Sequence, residues 1–321
     1  MKRFLFVCLF LALALPAQAA SKVAFCRPDN MASALAFIAD EQGYFKAEGL
    51  DLTYATATNG KICQDNLIAG KGDAMMGGDG PFTYLSFTPT QPIRLIAQQM
   101  VNPETALIAR RDRGIEKESD IKGKRIGYLP GTVSYIYTAH LLEKLGLTPQ
   151  DVHLVALQPP AMPQALQGGA IDGFVMWEPW VSQAVKALGN GAVWLHDPLM
   201  YNYRSVFSVT QSFAKNHPED IKAMLRALLR AEAYIHAHPA EARVALARDA
   251  KLDVQILEKN WSAYVFRLTL DPSLIALLDS NARYITRDDP NFKDKPAPDF
   301  RKFIDSSFLR VVAPDRVEAG M

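Results

Sequence analysis

A strand–helix–strand–helix–strand pattern occurs twice in this chain, near residues 22–76 and again near 125–176, and it restricts the fold more tightly than any other feature. In the first copy Lys22 to Phe25 reads as a strand, Ala32 to Ala47 as a helix closed by Glu48-Gly49, and Leu50 to Ala55 as a second strand. A turn at Asn59-Gly60, a helix from Cys63 to Ala69 and a short apolar strand at Ala74-Met75-Met76 complete it. The second copy runs through strand Arg125–Tyr128, helix Ser134–Leu145, strand His153–Ala156, helix Met162–Gln167 and strand Gly173–Met176. Such alternation predicts a parallel-sheet α/β architecture. A period of roughly 100 residues is far too long for a solenoid, so two similar lobes are expected.

Between the copies, Ile93–Gln98 and Thr105–Ala109 read as further strands, and Arg110 to Lys117 is a charged connection. After Asn202 the character changes. Ser205–Val209 reads as a strand returning to the first lobe. Pro218–Ala237 carries Ile221, Met224, Leu225, Leu228 and Leu229 at helical spacing. Helices are also expected at Ala240–Arg248, Val254–Tyr264 and Pro272–Tyr284, before a proline-bearing, irregular tail from Thr286. This reading places lobe one at 20–108 plus 204–321 and lobe two at 109–203.

The N-terminus adds a compartment. Lys2 and Arg3 precede an apolar run from Phe4 to Leu15, and Pro16-Ala17-Gln18-Ala19 ends in an Ala-x-Ala pattern. That is the form of a secretory signal cleaved after Ala19. The run is shorter than the roughly 20 residues a membrane span needs. Cys8 lies inside it, which disfavours a lipid anchor at that thiol. Losing residues 1–19 takes the formal charge from +1 to −1. A near-neutral chain without basic runs has no electrostatic means of holding nucleic acid or a membrane surface. A monomer is expected.

Ligands of open α/β sheets sit beyond the carboxyl ends of the strands, so the loops there carry the candidate residues. After the first strand stand Arg27 and Asn30; Arg27 can clamp an anion bidentately or pair with Asp29 or Asp79. Asn59 and Gly60 follow the second strand, as a ligand loop or as a plain tight turn. Asp79 and Gly80, in Gly77-Gly78-Asp79-Gly80-Pro81, let backbone amides approach a ligand, or Asp79 caps the next helix. Thr132 and Ser134 open a helix whose start attracts anions, and either can equally be a cap. Trp177 and Glu178 end the last strand of lobe two. The indole is a stacking wall or core, and the carboxylate would accept hydrogen bonds from an amine.

Cys26 and Cys63 are the two mature cysteines, and an oxidising compartment makes them a disulfide candidate; metal ligation is the alternative reading, without ligand spacing to support it. The chain has no Gly-x-Ser-x-Gly elbow, no His-Glu-x-x-His site and no phosphate loop. Its histidines, at 140, 153, 196, 217, 236 and 238, are scattered. No enzyme activity, metal or cofactor is expected.

Several segments carry a resemblance. Gly43-Tyr44-Phe45-Lys46-Ala47-Glu48-Gly49-Leu50-Asp51-Leu52 resembles the first-helix signature of the periplasmic binding proteins for nitrate, sulfonates, taurine and thiamine-pyrimidine precursors. Asp120 to Gly127 with Gly131-Thr132, Ala165 to Gly173, and Trp177-Glu178-Pro179-Trp180 are similar to that family's later segments and occur in its order. The resemblance implies an α/β, two-lobed periplasmic binding protein of type II with a hinged interlobe cleft. It also implies a small-molecule ligand and, as partner, an ABC permease with its ATPase. A sulfonate or taurine-like zwitterion, or a pyrimidine-like heterocycle, is the expected ligand. An exported sensor or scavenger without a transporter is the alternative, and a periplasmic enzyme the remoter one. The family's pyrimidine-synthesising enzyme has a cysteine-rich cluster that this chain lacks.

Overall fold

Each copy of the repeated pattern closes into three parallel strands, and the strand added next to each trio runs the other way. In the computed structural model, which describes residues 20–321, the strands are β1 (Ser21–Pro28), β2 (Leu50–Ala57), β3 (Ala74–Gly78), β4 (Ile93–Asn102), β5 (Ala106–Arg110), β6 (Arg125–Tyr128), β7 (His153–Ala156), β8 (Gly173–Met176), β9 (Ala192–Leu195), β10 (Tyr203–Thr210) and β11 (Val265–Thr269). The expected signal at residues 1–19 lies outside the described residues. One sheet has the order β11-β4-β10-β3-β1-β2, the other β7-β6-β8-β5-β9. β1 pairs in parallel with β2 and β3, and β6 with β7 and β8. β10 is antiparallel to β3 and β4, and β5 to β8 and β9. The sheets are therefore mixed rather than wholly parallel. β5 and β10 each receive the chain from the other sheet, so no crossover helix within their own sheet forces them parallel to their neighbours; β4, which follows β3 through the helix Asp79–Leu85, runs in the same direction as β3.

Sheet pairing also moves a boundary. β5 belongs wholly to the second sheet, so the first crossing runs through Pro103–Thr105 rather than at 108/109; the return begins after β9 and ends at Tyr203. Two expected helices change form. The segment 32–47 divides into a turn Met31–Ser33 and helices Ala34–Glu41 and Tyr44–Ala47, interrupted at Gln42-Gly43. The helix from Val254 stops at Asn260, and Val265–Thr269 becomes β11 against β4. Its Val-Phe-Arg-Leu alternation, with Phe266 and Leu268 buried and Val265 and Arg267 exposed, is a strand period rather than a helical one.

The helix Pro218–Ala237 packs on the first sheet, with Ile221, Met224, Leu225 and Leu228 inaccessible to solvent. Each such side chain contributes about 1.5–3 kcal/mol relative to exposure. A later helix, Pro272–Asp288, reaches the second half: Tyr284 stacks on His140 at 3.7 Å and Arg287 meets Glu143 at 2.8 Å. Cys26 of β1 and Cys63 of the helix Gly60–Ile68 form a disulfide with Cα atoms 5.3 Å apart, which fastens that helix to the sheet. Among the described residues no helix is long and apolar enough to cross a membrane.

Candidate functional site

Four helical segments begin at one small cavity between the two sheets: Met31–Ser33, Gly60–Ile68, Asp79–Leu85 and Val133–Lys144. Three follow strands of the first sheet and the fourth follows β6 of the second. The topology dictates this meeting, because parallel strands all release their helices at the same end.

Each start is shaped by its own cap. Asn30 accepts from the Ala32 amide at 3.0 Å, Asn59 from Ile62 at 3.2 Å, and Thr132 from Ser134 at 3.3 Å. All three caps line the cavity, with Gly60, Lys61 and Val133 beside them. The first amides of a helix have no intrahelical acceptor, so those of Gly60, Lys61 and Val133 supply positive potential there. A buried network holds the Met31–Ser33 turn in place: Ser205 Oγ donates to the Ala32 carbonyl at 2.6 Å, and Gln99 Nε2 bonds both Ser205 Oγ and that carbonyl.

Trp177 forms part of the wall, and its indole N–H is buried without an acceptor in the protein. The wall also includes Glu104, from the first crossing, and Tyr203, at the end of the second. Glu104 accepts a hydrogen bond from the Tyr264 phenol, and burial pushes its carboxyl up to about 8, against the effect of that bond. Lys61 is the basic residue of the wall, and its ammonium bonds Asp65 at 2.7 Å.

Asn30, Asn59, Gly60, Thr132 and Trp177 thus stand together, while the other five expected site residues are elsewhere. Arg27 lies over the Tyr54 ring at 4.0 Å and pairs with Asp40 at 3.3 Å, not with Asp29 or Asp79. It is still within β1, on a face covered by helix, whereas Asn30 is beyond the strand end. Ser134 is a structural tie, accepting from the Leu129 amide at 3.0 Å and donating to the Val175 carbonyl at 2.7 Å. Glu178 accepts from Ser182 N at 3.1 Å and from Ser182 Oγ at 2.7 Å, so its carboxylate is held at the start of the helix Trp180–Leu188 and is not part of the cavity lining. Two donors one helical turn ahead capture a buried carboxylate more effectively than an open cleft does. Asp79 is fully buried among Tyr201, Arg204 and Asn281.

Gly80 touches the opposite half by its backbone. A Cβ there would stand 2.5 Å from Val133 N and 2.9 Å from Thr132 C, with no flexible side chain to yield. Gly80→Ala is therefore expected to push the two helix starts apart and weaken ligand capture about 10-fold, from an overpacking cost of about 1–3 kcal/mol. Titration calorimetry checks the affinity and small-angle scattering the separation; unchanged values in both would show that the contact is slack.

The residues missed in the sequence, Glu104 and Tyr203 above all, sit in crossings with no periodic pattern. The available signal was topological: two crossings between lobes must run beside the cleft. Among the described residues no group of three or more His, Cys, Asp or Glu gathers to hold a metal.

The NMT1/THI5-like family model matches residues 30–242. A taurine-binding periplasmic protein of Escherichia coli (strain K12) is 30% identical over 250 residues, 66% of this chain and 73% of that one. The nitrate/nitrite binding protein NrtA of a Nostoc species is 27% identical over 222 residues, 61% of this chain, which spans only about half (49%) of that relative. An enzyme is also among the relatives: 4-amino-5-hydroxymethyl-2-methylpyrimidine phosphate synthase of Schizosaccharomyces pombe, 29% identical over 60% of this chain and 58% of its own. In structure, the alkanesulfonate-binding protein SsuA from Xanthomonas axonopodis pv. citri, bound to MOPS, superposes with a TM-score of 0.75 at 16% identity, over 91% of this chain and 100% of that one. The fold is that of the two-lobed periplasmic binding proteins, and the chain belongs to the NMT1/THI5-like family.

Proposed function

We propose that this chain is an exported solute receptor that captures a small molecule with an oxyanion end, such as a sulfonate, and delivers it to an ABC permease and its ATPase. The observation that supports this reading is the meeting of helix starts from both halves at one cavity, with the free indole N–H of Trp177 in its wall. Such starts stabilise negative charge by their amides and dipoles. In this reading residues 1–19 are a removed export signal, and the protein works in the periplasm as a monomer. The segments 20–102 with 203–321, and 106–195, are two lobes that close over the ligand about the crossings. Asn30, Asn59, Gly60, Thr132 and Trp177 contact it, joined by Lys61.

Mass spectrometry of ligand released from gently purified protein, followed by calorimetry with nitrate, ethanesulfonate, 2-aminoethanesulfonate and a 4-aminopyrimidine, tests the reading. At least one oxyanion should bind. Trp177→Phe keeps an apolar wall but removes the donor, and a hydrogen bond to a charged ligand is worth about 1.5–3 kcal/mol. Its affinity should fall roughly 10- to 100-fold. Binding of the pyrimidine alone would replace the oxyanion reading with a heterocycle. Turnover of a bound ligand would replace the receptor with an enzyme. Failure to stimulate any importer's ATPase would leave a sensor or scavenger.

A further inference from the structure

One helix carries a single apolar stripe into two different cores. The helix Pro272–Asp288 has 17 residues and is about 25 Å long. Leu274, Ile275, Leu278 and Ala282 lie in the core of the first sheet. Ile285, three residues further along the same stripe, is inaccessible in the core of the second. The change of partner falls next to Asn281, which is buried where the halves meet. Asn281 donates to Asp79 Oδ2 at 2.8 Å and to the Tyr201 oxygen at 3.0 Å, so it ties the helix both to the first half and to the second crossing.

Beyond Asn281 the helix grips the second half away from the cavity. Tyr284 stacks on His140 at 3.7 Å, and the His140 ring also meets Tyr201 edge-on at 5.6 Å. The Tyr284 phenol donates to Glu143, and Arg287 Nη1 donates to the same carboxylate at 2.8 Å. His140 and Glu143 stand on the helix Val133–Lys144, roughly 10 and 15 Å along its axis from the start that lines the cavity. None of these four side chains belongs to the cavity lining. After the helix, Phe292 packs edge-on against Tyr84 and Phe87 of the first half, each at 5.2 Å. The gripping segment is thus anchored in the first half on both sides, and its contacts with Val133–Lys144 are the ones that a rotation of the second half alters.

We propose that this segment is a clasp: by holding His140 and Glu143 it biases the two halves toward closure before a ligand arrives, and so raises the affinity for every ligand without touching any. This rests on the hinge closure read above and adds a contribution that neither the ligand nor the two crossings supply. A receptor binds tightly with its closed arrangement, so its apparent dissociation constant rises as the closed fraction falls. The clasp is moderate in strength. Glu143 and Arg287 are both about half exposed, and an exposed ion pair shifts an equilibrium by at most about 5-fold. The stack of Tyr284 on His140 shifts it about 2- to 10-fold and is the larger part.

The experiment compares the mature protein with Tyr284→Ala, which removes the stack and the phenol, and with Glu143→Gln, which removes only the charge. Calorimetry with ethanesulfonate, 2-aminoethanesulfonate and nitrate reads affinity, small-angle scattering reads closure, and urea melts establish that both variants are folded. Tyr284→Ala should weaken every one of these ligands that the parent binds by the same factor, about 5- to 30-fold. Its ligand-free radius of gyration should exceed the parent's. Glu143→Gln should weaken the same ligands about 2- to 5-fold. Parent affinity and parent scattering in both folded variants, even with lowered stability, would overturn the clasp. Losses that differ between ligands by more than about 3-fold would overturn it too, because the residues would then act at the ligand. Failure of the parent to bind any of the three, with Tyr284→Ala still more open than the parent, would overturn the oxyanion reading and leave the clasp standing. A Tyr284→Ala protein that binds ligand without compacting would overturn hinge closure and the clasp together.

Discussion

Asp79→Ala is expected to destabilise the protein by about 3–5 kcal/mol, because it leaves buried donors without their acceptor. Asp79 is inaccessible to solvent. It accepts from the Tyr201 phenol, from Arg204 N at 2.9 Å and from Asn281 Nδ2 at 2.8 Å. Those donors belong to the second crossing, to β10 and to the helix Pro272–Asp288, so one carboxylate joins three stretches of chain where the two halves meet. Asn281 also donates to the Tyr201 oxygen at 3.0 Å, which makes the cluster a closed network. Asp79→Asn keeps the shape and one acceptor oxygen, and should cost less, about 1–2 kcal/mol. Urea melts measure both, and an alanine cost below about 1 kcal/mol would mean that water replaces the lost acceptor. Burial dominates the titration of Asp79 and raises its carboxyl above the usual range, despite the three donors. A raised carboxyl binds its proton more tightly when folded than when unfolded. Its contribution is thus fully present below the unfolded value of about 4 and is lost as pH rises through the folded one. The asparagine variant should lack that part of the pH dependence.

Replacing both Cys26 and Cys63 by alanine is expected to cost about 3–4 kcal/mol, the loop entropy released to the unfolded chain. The closed loop is 37 residues, long enough for a substantial effect and wholly within the first sheet's α/β unit. The double substitution avoids a stranded thiol, and both side chains are buried, so a packing loss adds to the entropic one. The bridge also holds the helix Gly60–Ile68, whose first residues line the cavity, so ligand affinity should fall with stability. Denaturant melts with and without reductant measure the effect. Identical melts, with two alkylatable thiols in protein from an oxidising compartment, would show that the bridge does not form.

Much of the site's location follows from local rules. Asn30, Asn59 and Thr132 are short polar residues between a strand and an apolar helical pattern, which marks N-caps. Strand ends of a parallel unit point the same way, so the loops that follow them supply one wall of the cavity. Trp177 stands likewise, one residue past β8. The expected residues that lie outside the cavity lining share a feature. Arg27, Asp79, Ser134 and Glu178 are equally polar and equally near strand ends, but each has a partner inside the protein: Asp40 for Arg27, Arg204 N for Asp79, the Val175 carbonyl for Ser134 and Ser182 for Glu178. Sequence position does not reveal which polar groups have internal partners. Glu104 shows the converse: it lies in an aperiodic crossing, and only the contact between distant segments makes it part of a wall.

The sequence by itself determined the doubled α/β unit, the helix caps and the apolar faces, because period, turn chemistry and capping act over a few neighbouring residues. Tertiary structure alone decided that β10 runs antiparallel between β3 and β4, that β5 runs antiparallel to β8, and that Gly80 meets Val133. It also decided that Glu104 and Tyr203 line one cavity with Trp177. These depend on how two separately folded sheets are set against each other, and that arrangement brings together residues separated by up to about a hundred positions, between which no local period carries information.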